Sequence, residues 1–335
     1  MVSEEISINH VLQAAERIQV HRTPIATSTA MNELVSKNGG IMSSVELFFK
    51  CELFQKTGSF KYRGASNAIA LLTDEEAANG VVCHSSGNHA QALALAAKNR
   101  GIPAYIVMPK NSPKVKKEAV YEYGAQIIEC EPFQSERESM AEKVRVEKQA
   151  SFIHPFNNPN VIAGQGTIVI ELFSQVSDLD AILVPVGGGG MLTGCSIAAK
   201  ALNPKIKVFA AEPSQVDDCY RTFKGKKRMT NSVKTESVAD GLLTNLGDIA
   251  YHEVLKHVDD VFTVSEKEII QAMELIWERM KLCIEPSAAV GCAVALYNQD
   301  FHEKIKQEGI KRIGIILCGG NVDIIKATEL FQKYK

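Results

Sequence analysis

The sequence predicts an α/β protein of two domains, each a mostly parallel twisted sheet flanked by helices. Three observations predict it. The chain has 335 residues, which at roughly 150 residues per domain is about two domains. Short runs rich in Val and Ile alternate with longer stretches of helical period, the pattern of βαβ units around buried parallel strands. Apolar residues make up 45% and charged residues 23%, enough to fill a large core and too apolar for a disordered chain.

Strands are expected at 45–51, 80–84, 104–108, 125–129, 181–186, 206–211, 261–264 and 313–318. Helical stretches lie between them at 88–99, 135–149, 161–176, 191–202, 266–282 and 286–298. Asp74 is expected to cap the short acidic helix before Gly80, and Ser265 with Glu268 reads as a capping box. Pro103 and Pro109 bracket the run AYIVM, and Asn203-Pro204 closes the helix after the glycine run. The segment from Gly80 to Pro155 holds three strand candidates, enough for a small sheet of its own. A small domain is therefore placed at 79–156 and a larger one at 1–78 with 157–335. A ligand cleft is expected between them, at the carboxyl ends of strands.

Composition excludes several functions. Lys+Arg number 37 against Asp+Glu 39, a net charge of −2, so a sequence-independent nucleic-acid binder is not expected. No apolar run is long enough to span a membrane, and the start, MVSEEISINH, lacks the basic and apolar regions of a signal peptide. The eight cysteines are scattered without a C-x-x-C pair and read as reduced thiols of a cytoplasmic protein. The basic run Lys224-Gly-Lys-Lys-Arg228 reads as a solvated loop.

Three segments carry chemistry. The strand candidate ending at Val186 runs into Gly187, Gly188, Gly189 and Gly190, with a helix beginning near Met191. Unpartnered N–H groups and the positive end of a helix dipole then point at one spot, which suits a phosphate. This is neither a dinucleotide fingerprint nor a Walker loop, because Leu192 and Thr193 replace the last glycine and no Gly-Lys-[Ser/Thr] follows. Four consecutive glycines are entropically costly unless something approaches the backbone closely. The second segment, Cys83-His-Ser-Ser-Gly-Asn-His89, is another strand end entering a helix. Its short donors and free helix N–H groups suit a carboxylate, although a capped loop has the same composition. In the third, Lys61 stands between Phe60 and Tyr62. Desolvation there would lower its pKa and free the amine as a nucleophile, whereas a snorkelling surface lysine is the plain alternative. Together these are the parts that pyridoxal phosphate chemistry on an amino acid needs.

The motifs GSFKYRGA, HSSGNHAQA, PVGGGGML, AAEP, VADGL, IEPSAAVG and LCGGNVD, in that order, resemble the fold type II pyridoxal-phosphate enzymes, whose fold is like that of the tryptophan synthase β subunit. Within them the chain is similar to the serine racemase and serine/threonine dehydratase branch, from about residue 21 to the end. The resemblance implies that Lys61 bonds the cofactor aldehyde and, once freed, takes the substrate α-proton from one face. Phe60 would stack on the ring, and Gly187, Gly188, Gly189, Gly190 and Met191 would hold the phosphate. Asn88 would bond the phenolic oxygen, and Cys318 stands where the ring-nitrogen partner sits. Ser85, Ser86, Gly87, Asn88 and His89 would hold the substrate carboxylate, and Ser86 aligns with the acid/base of the opposite face.

By the same resemblance, Glu212, the Val216 carbonyl and Asp218 form a divalent-cation site for Mg²⁺, or for Ca²⁺ or Mn²⁺. Ser28, Thr29, Lys56, Thr57, Gln91, Tyr123, Lys281 and Asn321 align with the site of activating ATP at a subunit interface. A homodimer acting on a small amino acid is implied. Two residues depart from the racemase pattern: Cys318 is most often Ser there, and Phe156 is Asn in mammalian racemases. Both occur in dehydratases, so a serine/threonine or 3-hydroxyaspartate dehydratase is the alternative to a serine racemase with accompanying dehydration. Aspartate is not expected as the substrate, because Phe156-Asn157-Asn158 lacks a serine-rich loop.

Overall fold

The structure, a computed structural model, describes residues 5–41, 44–85, 87–112, 114–232 and 235–335. Ten strands occur among them: β1 (Ile25–Ala26), β2 (Glu46–Cys51), β3 (Val81–His84), β4 (Ala104–Pro109), β5 (Gln126–Cys130), β6 (Ser151–Phe152), β7 (Ala181–Pro185), β8 (Lys207–Pro213), β9 (Asp260–Val264) and β10 (Arg312–Leu317). A six-stranded sheet has the order β1-β2-β10-β7-β8-β9, and a four-stranded sheet the order β5-β4-β3-β6. All pairings are parallel except β1 with β2. The fold is thus α/β, with one mostly parallel and one all-parallel sheet flanked by helices. In β7 every residue is buried, as a strand covered by helices on both faces requires.

The eight expected strands are present with their ends shifted by two residues or fewer. β1 and β6 were not expected. Each is two residues long and has too little sequence to carry a period. The helix 74–78 is capped by Thr73, not Asp74. Thr73 Oγ1 accepts from Glu76 N at 3.2 Å and the Glu76 carboxylate accepts from Thr73 N at 2.9 Å. Asp74 is instead a first-turn acid. The capping box of Ser265 and Glu268 is present. The helix expected at 266–282 is α-helical only to Leu275, continues as a π-turn over Ile276–Met280, and ends at Lys281 with φ 60°.

One strand carries a charge where only apolar residues belong. Lys50 of β2 is fully buried, and its ammonium donates to Thr23 O, Glu171 and Gln175 at 2.8 Å each. Arg63, also fully buried, forks onto Glu52 at 2.7 and 2.8 Å and onto Glu171 at 2.8 and 2.9 Å. Two cations and two carboxylates therefore neutralise each other in the core. They pin the helix Lys61–Ala70 to β2 and to the helix Pro159–Gln175. Among the described residues, no helix is long and apolar enough to cross a membrane.

Candidate active site

The chemistry-bearing segments leave the carboxyl ends of four strands. After β2 the chain reaches Phe60, whose N–H donates to Cys318 O at 3.0 Å just past β10. The helix beginning at Lys61 follows. Lys61 Nζ donates to Pro155 O at 3.0 Å and lies 5.1 Å from the centroid of the Phe60 ring. Burial pushes the amine down from the ordinary 10.5 to about 8, with Cys318 and Glu285 opposing. Phe60 is thus the aromatic neighbour. Tyr62 turns away, its hydroxyl accepting from Asn99 at 2.8 Å and its ring 5.3 Å from Lys56 Nζ. Pro155 is held by His154, whose Nδ1 accepts from the N–H groups of Phe156 and Asn157 at 3.3 and 2.9 Å. Burial lowers His154 to about 4, so near neutrality it stays an acceptor.

After β7, residues 187–191 are all buried. None of their N–H groups has an acceptor among the described residues. Thr193 Oγ1, one turn on, is also buried without a partner. Buried donors in native proteins are nearly always paired, so this loop fits an anionic ligand. The glycines have a second cause that sequence alone does not reveal. A Cβ on Gly188 would lie 2.4–2.5 Å from ring atoms of Phe156, and Gly189 has φ +85° with Ala250 Cβ 2.4 Å from its own. Gly188→Ala is expected to destabilise the protein by about 1–3 kcal/mol. Thermal unfolding would measure this, and Phe156→Ala in the same chain should recover part of the loss.

After β3, Gly87 N donates to Ser85 Oγ at 3.4 Å and the helix Asn88–Arg100 begins. The N–H groups of Asn88 and His89 have no acceptor among the described residues, leaving two helix-end donors for an anion. His89 is buried, with Nε2 3.2 Å from Ile153 O. A carbonyl only accepts, so Nε2 carries the proton and Nδ1 is a bare acceptor. Burial depresses this imidazole to about 3; toward an anion His89 has only its backbone N–H to offer. Ser86 lies outside the described residues. Cys318 is buried, and burial with the nearby charge of Glu285 pushes its thiol well up, so it remains S–H.

Glu212 lies one residue before the end of β8 and Asp218 opens the next helix; both are almost fully buried. Glu212 accepts from the N–H groups of Cys219 and Tyr220 at 3.0 and 2.8 Å, and Asp218 from Asn231 Nδ2 and Leu246 N at 2.7 and 2.8 Å. Neither forms an ion pair among the described residues. Burial and the charge of Asp218 raise Glu212 well above the usual range, and burial raises Asp218 to about 6. Val216 between them is buried. Two adjacent buried carboxylates without a cation fit a hard divalent ion. No group of three or more His, Cys, Asp or Glu placed to hold a metal ion occurs among the described residues, so a backbone or water oxygen would complete such a site.

Of the eight residues aligned with an ATP site, Asn321 contacts Thr57, donating to its carbonyl at 2.8 Å. Gln91 belongs to a helix packed on Lys56–Gly58. Lys56 Nζ donates to Gln19 O at 2.8 Å. Ser28 caps the helix Thr29–Gly39, which packs elsewhere, on Pro286–Tyr297 and β2. Tyr123 lies beside the core of the small sheet, and exposed Lys281 donates to Glu278 O. The chain by itself does not gather the eight.

Pro155 and Glu285 were not singled out from the sequence. Glu285 bonds Asn88 Nδ2 at 2.8 Å and acts on both Lys61 and Cys318. Its signal was available: it is the only charged residue from Ile284 to Leu296, and an acid in so apolar a segment is buried for a reason. All eight cysteines are free, and seven are buried.

A family profile described as "Pyridoxal-phosphate dependent enzyme" matches residues 18–319. The chain is 50% identical to the serine racemase of Homo sapiens over 92% of its length and 88% of that protein. It is 47% identical to the beta-hydroxyaspartate dehydratase of Paracoccus denitrificans, covering 94% of the chain and 96% of that protein. The structure of maize serine racemase superposes with a TM-score of 0.91 at 44% identity, covering 98% and 97% of the two chains.

Proposed function

Since the chain belongs to the pyridoxal-phosphate dependent enzyme family, we propose that it is a serine racemase that also eliminates water from serine to give pyruvate and ammonia. The observation that carries this reading is the amine of Lys61, set on the Pro155 carbonyl and against the Phe60 ring, together with the unpartnered N–H groups of the glycine loop. When bound, pyridoxal phosphate supplies an electron sink for the pair left at Cα as the α-proton departs.

The chain's residues divide the remaining work. Lys61 carries the cofactor and moves the α-proton at Nζ; an amine that titrates near 8 is largely available as a base at mildly alkaline pH. Phe60 packs on the ring. The N–H groups of Gly187, Gly188, Gly189, Gly190 and Met191 hold the phosphate, and Asn88 the phenolic oxygen. Cys318 donates S–H toward the ring nitrogen, and a neutral thiol does not hold a proton there as a carboxylate would. Ser85, Ser86, Gly87, Asn88 and His89 receive the substrate carboxylate, with Ser86 exchanging a proton on the second face. Glu212, Asp218 and the Val216 carbonyl bind Mg²⁺. ATP activates at Ser28, Thr29, Lys56, Thr57, Gln91, Tyr123, Lys281 and Asn321, and the residues contributed by separate parts of the surface meet when a homodimer forms. Residues 79–156 act as a small substrate-binding domain against the rest, in a cytoplasmic enzyme.

The test supplies L-serine and pyridoxal phosphate to the purified protein, with and without Mg²⁺ and ATP. Chiral chromatography follows D-serine and a coupled assay follows pyruvate. Ser86→Ala is expected to lower D-serine formation by about 10²–10⁴-fold while pyruvate persists. Chelation of divalent cations should slow both reactions. Pyruvate without D-serine from the unmodified protein would establish the second reading, a serine/threonine or 3-hydroxyaspartate dehydratase. Cys318, Phe156 and the similarity to a beta-hydroxyaspartate dehydratase favour that reading.

A further inference from the structure

Asn88 is gripped at both ends of its carboxamide by residues distant in the chain. Its Nδ2 donates to Glu285 Oε1 at 2.8 Å, and its Oδ1 accepts from Asn321 Nδ2 at 2.8 Å. Asn321 Nδ2 also donates to Thr57 O at 2.8 Å. Glu285 is 4% exposed, caps the helix Pro286–Tyr297, and donates its own N–H to Gly319 O at 3.1 Å. A carboxylate only accepts and the Asn321 amide group only donates, so one orientation of Asn88 satisfies both neighbours. That orientation leaves one Nδ2 hydrogen uncommitted.

We propose that Glu285 and Asn321 are positioning residues that lock the Asn88 carboxamide with one N–H held for the phenolic oxygen of the cofactor. This rests on the reading that the site binds pyridoxal phosphate. Glu285 supplies a charge-assisted bond from a fixed helix end, which holds more firmly than a neutral pair. Asn321 prevents the flip that would present Oδ1 to an anionic oxygen.

The experiment titrates cofactor-free protein with pyridoxal phosphate, reading the dissociation constant and the pH midpoint of the bound cofactor's absorbance. Wild-type protein that fails to bind would refute the cofactor reading itself. Given wild-type binding, Glu285→Ala and Asn321→Ala are each expected to raise the dissociation constant about tenfold and to move the midpoint. Glu285→Gln, which keeps an acceptor, should recover most of the affinity. In an Asn88→Ala background neither substitution should have a further effect on either readout. Full, additive losses in that background would overturn the proposal, because the two residues would then serve the fold and not Asn88. If Glu285→Ala does not fold, Asn321→Ala carries the same cycle.

Discussion

Lys61→Ala is expected to abolish covalent cofactor attachment, and borohydride reduction should no longer link pyridoxal phosphate to the chain. Serine turnover should fall by at least about 10²–10⁴-fold from the lost proton transfer alone. The fold should survive, and the sign follows from linkage. In the folded chain burial holds Lys61 at about 8, below the ordinary 10.5, so the unfolded chain binds this proton more tightly. The resulting cost to stability is fully present below pH 8 and fades as pH rises toward 10.5. At pH 7 the cofactor-free variant should therefore melt no lower than cofactor-free wild type. The same titration predicts that cofactor loading onto wild type speeds up with pH through about 8 and then levels, because only the unprotonated amine attacks an aldehyde. Turnover by Lys61→Ala within tenfold of wild type would remove Lys61 from the mechanism.

The local signals around this lysine were readable in the sequence because each is short-range. A strand, a glycine run and a helix onset lie within a dozen residues at 181–191, and a strand covered on both faces reads as a short continuous apolar run. What the sequence withheld depends on approach in space. Gly188 is glycine because of Phe156, more than thirty positions away. Asn88 is oriented by Glu285 and Asn321, and Lys61 rests on the carbonyl of Pro155, pairings that no local pattern encodes. β1 and β6 escaped because two-residue strands owe their existence to a neighbour's edge. Thr73 displaced Asp74 as cap because the capping box with Glu76 fits one frame only, Thr-x-x-Glu.

Arg63→Met should be the most damaging substitution outside the site, costing about 3–5 kcal/mol as read by the denaturation midpoint. Arg63 has no exposed surface, and neither does Glu52. Burial alone would lower the guanidinium's pKa, but Glu52 and Glu171 outweigh it and hold Arg63 firmly charged. Removing it leaves Lys50 as the sole cation against two carboxylates, and Glu52 keeps only the Thr23 hydroxyl, 2.6 Å away. Lysine is no substitute, because a single ammonium cannot fork onto both acids. The decisive comparison is the double substitution Arg63→Met with Glu52→Leu. It removes one cation and one anion, leaving Lys50 with Glu171 as a balanced pair, and it should be less destabilising than Arg63→Met alone. A double variant less stable than the single one would mean that the fork holds the fold through geometry and not through charge balance. The network also bears on catalysis, since Arg63 sits two residues from Lys61 on the same helix. Where the double variant regains stability but the helix is no longer pinned, the affinity for pyridoxal phosphate should remain below that of wild type.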